Sequence, residues 1–437
     1  MELSTAEKLK ILGAGAKYDV SCASSGVNRK AKPGQVGSAA ACGLCHTFTE
    51  DGRCISLLKV LMSNQCIFNC AYCVNRADND IPRTAFTPRE IADLTIEFYR
   101  RNYIEGLFLS SGVVGSPDNT MELMINAIRI LREEYRFGGY IHAKIIPGSD
   151  NRLADILGRL CDRISINMEF ASHRALRLLA VDKSHTDIIS SMGNVTNRLV
   201  QNKEERRKFK SAPLFAPAGQ STQLIIGATA ERDYTIVRLA QALYKKLGMK
   251  RVYYSAYMPI VKHPDLPGKD VSPPLVREHR LYQADWLMRY YGFTPEDIFS
   301  DKDESLDLEV DPKISWALKH ADFFPIEVNS ADYYTLLRVP GIGQRTAKRI
   351  IQSRRFSRLD DKSLVKMGMI RRAFYFITVN GKFLGRCAPD NPALKFILKD
   401  NNLNGQITFD SIISDKRIED EKSAAKLIST VSTASYA

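Results

Sequence analysis

The sequence has 437 residues, of which 44% are hydrophobic and 25% are charged, and its formal net charge is +13 at pH 7. This length allows two to three domains and a large buried core. No run of about eighteen apolar residues occurs, which argues against a membrane-spanning helix, and the N-terminal MELSTAEKLK lacks the charged-then-apolar pattern of a secretion signal.

The number of cysteines and the net charge indicate the compartment and the kind of partner of the protein. Nine cysteines, an odd number with several in metal-like spacing, fit a reducing compartment better than a disulfide framework. We therefore expect a cytoplasmic protein. The positive charge suits a polyanionic partner.

The first 54 residues form an extension that contains a cysteine group. Cys22, the pair Cys42 and Cys45, and Cys54 together have the ligand count of a structural zinc site or an auxiliary iron–sulfur cluster. Unligated thiols are the third alternative, and the spacing does not choose among the three.

A second cysteine group follows the first predicted strand, Ile55–Met62, whose continuous apolar run is typical of a strand buried on both faces. Cys66, Cys70 and Cys73 lie within eight residues, with Tyr72 before the third. Structural zinc sites use two separated pairs, and ferredoxin runs space their cysteines differently. A 4Fe–4S cluster held by three cysteines would keep one iron open for catalysis, whereas a zinc knuckle or chance clustering is the alternative.

This cysteine spacing resembles the signature of the radical SAM enzymes. The resemblance implies that S-adenosylmethionine chelates the open iron, that the reduced cluster cleaves it to a 5′-deoxyadenosyl radical, and that this radical takes a hydrogen atom from the substrate. It also implies that Tyr72 packs near the cluster and the adenine, and that an electron donor such as flavodoxin or ferredoxin supplies the electron.

Five more apolar strands alternate with amphipathic helices such as Pro88–Arg101 and Thr120–Tyr135. They are predicted at Leu107–Ser111, Ile141–Ile146, Ile164–Phe170, Gln223–Ala228 and Val252–Tyr257. Repeated strand–helix units of this kind predict an α/β fold, a partial (β/α)6 TIM-like barrel over residues 55–299, with functional residues at the C-terminal ends of the strands.

Candidate cofactor-binding residues follow three of these strands, by the same resemblance. Ser110, Ser111 and Gly112 stand where the family often has Gly-Gly-Glu; one glycine is kept and the acid is missing, so the ligand of the amino group stays open. The other candidates are Asn167, Glu169, Gly227 and Glu231, placed to contact the ribose, the methionyl group or the adenine. A plain hydrogen bond at the barrel rim is the alternative for each of the polar residues.

An acidic stretch, Asp301–Asp311, ends at Pro312 after a predicted helix at Arg277–Phe293. It is short of apolar residues, so we place a linker at residues 300–325.

The segment Ala331–Ile351 resembles a helix-hairpin-helix DNA-binding motif, which predicts a small all-α domain at residues 326–390. Gly341 and Gly343 permit a tight turn that points backbone N–H groups at a phosphate. On the following helix Ala347, Ile350 and Ile351 share a packing face. The residues expected to bind DNA are Gly341, Gly343, Arg345, Lys348 and Arg349.

Charge supports a nucleic-acid partner for this domain. Residues 330–387 contain thirteen basic and three acidic side chains, a net +10 that is most of the charge of the whole chain. Such a domain would bind phosphates with little sequence preference and strong salt dependence. A helical hairpin that binds protein is the alternative, and Ser363–Ile377 is either a second, degenerate hairpin or a helix that covers the first.

Nearly the whole chain to about residue 390 resembles one group of radical SAM proteins, described as DNA modification or repair proteins whose genes accompany a uracil-DNA-glycosylase-like partner. The stretches KYDVSCASSG, CGLCHTFTEDGRCISLLKVLMSNQCIFNCAYCVNR and NSADYYTLLRVPGIG carry the resemblance. It implies a DNA substrate and a glycosylase-type partner. Residues 391–437 are a C-terminal tail that matches nothing recognised.

The resulting hypothesis is a radical SAM enzyme that acts on a nucleotide in DNA, flipped out or single-stranded to reach the buried radical source. Two alternatives stay open: the same chemistry on structured RNA, and a non-catalytic iron–sulfur protein that binds DNA.

Overall fold

The computed structural model describes residues 3–16, 44–48, 54–299 and 304–399, with the backbone alone at 44–48, 54 and 55. The chain forms two compact units, divided between Glu278 and His279. This division lies before the boundary predicted at 299/300, and residues 312–319 of the predicted linker form a helix. None of the helices among the described residues is long and apolar enough to cross a membrane.

The first unit is built on one seven-stranded sheet whose strands follow one another in chain order. Its strands are β1 (Leu44–Phe48), β2 (Cys54–Leu61), β3 (Gly106–Ser110), β4 (Tyr140–Lys144), β5 (Arg163–Ser165), β6 (Gln220–Ile226) and β7 (Arg251–Ala256). β1 runs antiparallel to β2, and the other neighbours are parallel. Six parallel strands in consecutive order confirm the predicted partial barrel.

Among the helices of this unit, the first precedes the sheet and the others connect its parallel strands. They are α1 (Thr5–Ala16), α2 (Pro88–Arg100), α3 (Pro117–Arg129), α4 (Asn151–Leu160), α5 (His173–Leu179), α6 (His185–Lys208) and α7 (Asp233–Leu247). A capping box between Thr87 and Glu90 starts α2, and Ser116 caps α3 through the backbone N–H of Asn119. These caps satisfy N–H groups that a helix end leaves unpaired.

The two faces of the sheet differ in polarity. Leu58, Leu107 and Ile141 pair across neighbouring strands and are fully buried. One residue further along, the row on the opposite face is Lys59, Phe108, His142 and Arg163. A small cavity on this second face is lined by Phe108, His142, Lys144, Ser165, Asn167, Ser221, Thr222, Gln223 and Tyr253. The second face therefore carries polar groups around a cavity of about 10 Å³, and the first face belongs to the apolar core.

The second unit is mainly helical. Its elements are α8 (Leu275–Tyr290, which begins in the first unit), α9 (Pro295–Ile298), α10 (Pro312–Lys319), α11 (Tyr333–Arg338), α12 (Gln344–Ser353), α13 (Asp361–Lys366) and α14 (Ala393–Leu398), with strands β8 (Ile326–Glu327), β9 (Ile377–Val379) and β10 (Lys382–Phe383). The three short strands form a sheet in the order β10, β9, β8. The prediction of an all-α domain is wrong in this respect, because strands of two or three residues are too short to give a periodic pattern.

The turn between α11 and α12 is tight. Gly341 has φ +87°, and a Cβ there would lie 3.0 Å from the carbonyl oxygen of Ile370. A second glycine turn follows α13 at Gly368, with φ +90°. The backbone N–H of Ile370 donates to the Gly341 carbonyl at 3.2 Å, so the two turns pack directly against each other.

Candidate active site at the three-cysteine loop

The loop with the three cysteines leaves the C-terminal end of β2 at the edge where β3 also ends. The Met62 N–H donates to the Ser110 carbonyl at 2.7 Å, and the Gly112 N–H donates to the Ser63 carbonyl at 2.7 Å. Functional groups of parallel α/β folds collect at this edge of the sheet.

The cysteine thiols are oriented by backbone donors. The Val113 N–H lies 3.3 Å from Cys66 Sγ, and the Asn75 N–H lies 3.4 Å from Cys73 Sγ. Cys70 is buried, and Cys66 and Cys73 are half-buried. Hydrogen bonds of this kind favour the thiolate form, which is the form that binds iron.

Without a bound cation, the loop disfavours thiolates. Burial raises the pKa of the Cys73 thiol to about 12 and also raises the pKa of Cys70; Cys70 and Cys66 add to the shift of Cys73, and Cys66 adds to the shift of Cys70. A cationic cluster would reverse this balance, because coordination deprotonates a thiol. The donor set therefore fits a group that brings its own positive charge.

Among the side chains that the structure describes, no group of three or more His, Cys, Asp and Glu is arranged to hold a single metal ion. In an iron–sulfur cluster each cysteine binds its own iron, so its ligands need not converge on one point.

Arg83 holds the backbone of the cysteine loop. Its guanidinium donates to the carbonyl oxygens of Asn64 at 2.5 Å, Asn75 at 2.8 Å, Arg76 at 2.6 Å and Asn79 at 2.8 Å. Four carbonyls that point inward from one loop are satisfied by one rigid, permanently charged group. The shape of the loop is thus fixed by the protein itself.

A largely buried ion pair lies beside Tyr72. Lys183 Nζ is 2.8 Å from Glu169 Oε1 and 3.4 Å from the Tyr72 hydroxyl; Glu169 is buried, and the Lys183 side chain is 14% exposed. The Tyr72 ring meets Phe170 edge-on, with 5.4 Å between centroids. Burial disfavours the charge on Lys183, but Glu169 and the cysteines together raise its pKa, so it stays a cation.

Glu169 itself has φ +64°, which is unusual for a residue with a side chain. Its backbone is fixed by the N–H of Ile225, which donates to its carbonyl at 2.7 Å, and by its own N–H, which donates to Gln223. The strand geometry thus turns the carboxylate towards Lys183.

The residues after β3 shape the loop. A Cβ at Gly112 would lie 2.6 Å from the Gln65 carbonyl oxygen and 3.1 Å from Cys66 Cβ. Ser111 Oγ donates to the Gly112 carbonyl, and the buried Ser110 Oγ has no hydrogen-bond partner within the protein. Gly112 is therefore the point of closest approach between β3 and the cysteines.

The remaining candidate cofactor-binding residues lie either at the cavity or after the ends of the strands. Asn167 lines the cavity, and its Oδ1 is buried without a partner. Gly227 has φ +83°, and a Cβ there would lie 2.5 Å from Pro274. The Glu231 carboxylate accepts from the Ser172 N–H at 2.6 Å, and burial raises its pKa. Gly227 and Glu231 thus contact Pro274 and Ser172, whereas Glu169 and Gly112 contact groups of the cysteine site.

The candidate second metal site lies outside the described residues. Cys22 and Cys42 fall in stretches that are not described, and Cys45 and Cys54 fall in β1 and β2, where the backbone alone is described. The predicted zinc or second cluster stays a prediction.

Sequence reasoning missed Arg83 and Lys183. Arg83 lies in a loop with no motif of its own, and Lys183 is 111 residues from Tyr72. The sequence around Lys183 carries no motif, and one lysine in the loop between α5 and α6 is an ordinary surface pattern.

In the second unit, the predicted DNA-binding residues lie at and after the first turn. Gly343 is the N-cap of α12, where no side chain caps the helix. Arg345, Lys348 and Arg349 are exposed on α12, and Arg349 also donates to the Met367 carbonyl at 3.1 Å. The N-terminal half of α12 therefore presents three exposed cations after a helix start that its N-cap residue does not cap.

Part of the sequence matches the model of a known protein family. Residues 60–199 match the model of the Radical SAM superfamily. No curated protein matches the sequence.

Solved structures with partial similarity include three maturase or synthase structures. HydG, a maturase of the FeFe-hydrogenase, is 14% identical over 52% of this chain and 48% of that chain, with a TM-score of 0.38. HydG from Carboxydothermus hydrogenoformans is 17% identical over 52% and 50%, with a TM-score of 0.38. Methylornithine synthase (PylB) is 16% identical over 52% and 61%, with a TM-score of 0.36. The chain spans about half the length of the HydG structures that it matches.

Proposed function

Because residues 60–199 form a radical SAM superfamily domain, we propose that the chain is a radical SAM enzyme whose substrate is DNA. Cys66, Cys70 and Cys73 hold a 4Fe–4S cluster in this proposal, and the iron without a cysteine takes S-adenosylmethionine. When bound and reduced by an external electron donor such as flavodoxin or ferredoxin, the cluster supplies the electron that cleaves S-adenosylmethionine to methionine and a 5′-deoxyadenosyl radical.

The single observation that carries the catalytic part is the fixed loop of three thiols at the C-terminal edge of a parallel sheet. Arg83 sets the shape of this loop, and the N–H groups of Asn75 and Val113 orient two of the thiols. Lys183 places a cation beside the site. The surrounding protein thus fixes the positions of the thiols that a cluster would bind.

Two buried polar atoms support a ligand next to the loop. Ser110 Oγ and Asn167 Oδ1 lack partners within the protein, and an unsatisfied buried polar atom is costly unless a ligand or water completes it. Hydroxyl and amide groups suit the ribose and the methionyl group of S-adenosylmethionine. Ser111, Glu169, Gly227 and Glu231 belong to the same proposed contact set by resemblance.

Support for DNA comes from the second unit. A net charge of +10 over residues 330–387, a tight turn at Gly341 and the exposed cations Arg345, Lys348 and Arg349 on α12 together suit a backbone phosphate. We propose that Gly341, Gly343, Arg345, Lys348 and Arg349 hold the DNA backbone in the manner of a helix-hairpin-helix motif. The target nucleotide would leave the duplex to reach the radical.

The test uses anaerobically purified, reconstituted protein with dithionite and S-adenosylmethionine, with and without DNA. Formation of 5′-deoxyadenosine is expected from the wild type, and Cys70→Ala should abolish it. Cys161→Ala is the matched control, because Cys161 is a buried cysteine at the end of α4, away from the loop. A cluster-loaded wild type that releases no 5′-deoxyadenosine would contradict the catalytic proposal and favour a non-catalytic metalloprotein.

The same preparation tests the other parts of the proposal. Stimulation by DNA supports the substrate class, and competition between DNA and RNA of one sequence separates the two nucleic acids. About eight irons per chain would place a second cluster on Cys22, Cys42, Cys45 and Cys54, whereas about four would leave these cysteines for zinc or as free thiols.

A further inference from the structure

One side of α12 and of the turn that follows it is exposed in a continuous stripe. From Arg345 to Phe356 the exposed side chains are Arg345, Lys348, Arg349, Gln352, Arg355 and Phe356, and all the others are buried or half-buried. Spacings of three and four residues place Arg345, Lys348, Arg349 and Gln352 on one face of α12, and Arg355 and Phe356 follow in the turn after Ser353. We call the six residues together the basic stripe; at a rise of about 1.5 Å per residue its helical part is about 10 Å long.

Phe356 ends the stripe and is the most exposed large hydrophobic residue among those described, at 90%. A single exposed apolar side chain needs no explanation by itself. This one differs because two exposed arginines lie close to it in sequence, Arg355 before it and Arg358 after it, with the exposed Ser357 between Phe356 and Arg358. An apolar ring between two cations is unsuited to an apolar protein surface and well suited to a nucleobase next to its phosphates.

The turn that carries Phe356 is fixed. The N–H groups of Phe356 and Ser357 both donate to the Ser353 carbonyl, at 3.1 and 3.4 Å. Beyond it, Leu359 is buried and is held on both sides by the Asn329 amide, at 3.0 and 3.2 Å. The backbone that carries the ring is therefore held in place, so little backbone conformational entropy is lost when the ring binds.

From this arrangement we propose that Phe356 is a nucleobase-stacking residue, which packs its ring on the face of an unpaired base while the basic stripe lies along the DNA backbone. The inference rests on the proposed function, since it takes DNA as the substrate. An unpaired base is available wherever a nucleotide has been flipped out or the duplex is interrupted. Phe356 would thus favour interrupted DNA over intact duplex.

The experiment measures dissociation constants of full-length reconstituted protein for three DNAs: an intact duplex, the same duplex with a four-nucleotide gap, and the single strand. Each measurement is repeated over a range of salt concentrations. The wild type should prefer the gapped and single-stranded forms. Phe356→Ala should weaken binding to those two by about 5- to 150-fold, the range for losing one stacked base, and should leave the salt slope unchanged because no charge is lost.

Phe396→Ala is the matched control. Phe396 is 75% exposed in the same unit, but the lysines near it, Lys395 and Lys399, pair with Asp307 and Glu309. Its removal should leave DNA binding unchanged.

Phe356→Trp tests stacking directly and covers the case in which the alanine variant folds poorly. It should restore affinity, and its added fluorescence, relative to the wild type, should be quenched by gapped DNA. Unchanged affinity of Phe356→Ala for every DNA, or a tryptophan that bound DNA does not quench, would overturn the inference and leave the proposed function standing. If the wild type binds no DNA, the result would instead contradict the proposed function itself.

Discussion

At the scale of single residues, the site depends on the charged side chain of Lys183 and on the absence of a side chain at Gly112. Gly112 allows β3 to approach the cysteine loop, and Lys183 neutralises Glu169 beside Tyr72. For each of these residues, one variant distinguishes its role in the site from a general contribution to stability.

Gly112→Ala should displace the cysteine loop, because the new Cβ would lie 2.6 Å from the backbone oxygen of Gln65, which cannot rotate away. We expect the variant to incorporate less iron on reconstitution and to lose about 1–3 kcal/mol of unfolding free energy. Iron content and urea unfolding measure the two effects. Gly138→Ala is the control, because a Cβ at Gly138 meets nothing within 4 Å. Normal iron content in Gly112→Ala would show that the loop tolerates the displacement.

Lys183→Met should destabilise the first unit by about 3–5 kcal/mol, because it leaves Glu169 charged and buried without its partner. Adding Glu169→Gln should recover most of this loss, since the double variant buries no unpaired charge. Urea unfolding followed by circular dichroism gives the free energies, and the exposed Lys203→Met in α6 is the control. A double variant as unstable as the single one would mean that Lys183 acts through packing alone.

At the scale of elements, the second unit depends on a buried lysine at the start of α10. Lys313 Nζ donates to the Ile342 carbonyl in the turn before α12 at 2.7 Å and lies 4.8 Å from the Tyr291 ring centroid. Burial lowers the pKa of Lys313 to about 7; Asp311 opposes this shift and Arg338 adds to it.

The stability of the second unit should therefore rise with pH between about 7 and the unfolded pKa of lysine. The unfolded chain binds the proton throughout this window and the folded chain releases it, so alkaline pH favours folding. The total effect is on the order of a few kcal/mol. Below pH 7 both states are protonated, and the dependence on Lys313 disappears.

Tryptophan fluorescence measures this unfolding selectively, because both tryptophans of the chain, Trp286 and Trp316, lie in the second unit. Lys313→Met should flatten the pH dependence, whereas Lys319→Met, an exposed change on the same helix, should keep it. Equal slopes for the wild type and Lys313→Met would assign the pH dependence to other groups.

The sequence predicts the long elements better than the short ones. Each of the strands β2 to β7 overlaps a predicted apolar run, but β5 is only Arg163–Ser165, whereas the run Ile164–Phe170 predicts a longer strand. β1 (LCHTF) contains Cys45, which is predicted as a metal ligand, and no strand is predicted there. β8, β9 and β10 have too few residues to show any period.

For the site, spacing predicts the cysteine loop because its ligands are local in sequence. Lys183 and Arg83 could not be predicted, since their roles depend on carbonyls and carboxylates that only the fold brings near them. Gly112 was predicted as a cofactor contact, and the structure adds a steric reason for a glycine there.

At the scale of the whole molecule, charge is divided unevenly along the chain. Residues 330–387 hold +10 of the total +13. A partner that is bound through this charge should release counterions in proportion to the phosphates contacted.

Replacing Arg345, Lys348 and Arg349 together by glutamine should reduce the magnitude of the slope of log K against log salt by about 2–3 on duplex DNA, if each contacts one phosphate. Replacing Lys203, Arg207 and Lys208 together by glutamine removes the same charge from an exposed part of α6 in the first unit. That control should leave the slope unchanged. Equal slope changes in both variants would mean that DNA binding depends only on the net charge of the protein and not on the position of these side chains.

The four hydrogen bonds of Arg83 affect what happens to the protein when oxygen attacks its cluster. They join carbonyls of one loop to one side chain and involve no iron. We therefore expect the loop to keep its shape when oxygen destroys the cluster. An oxidised molecule then needs only new iron and sulfide, so damage can be repaired in place rather than by synthesis of a new chain.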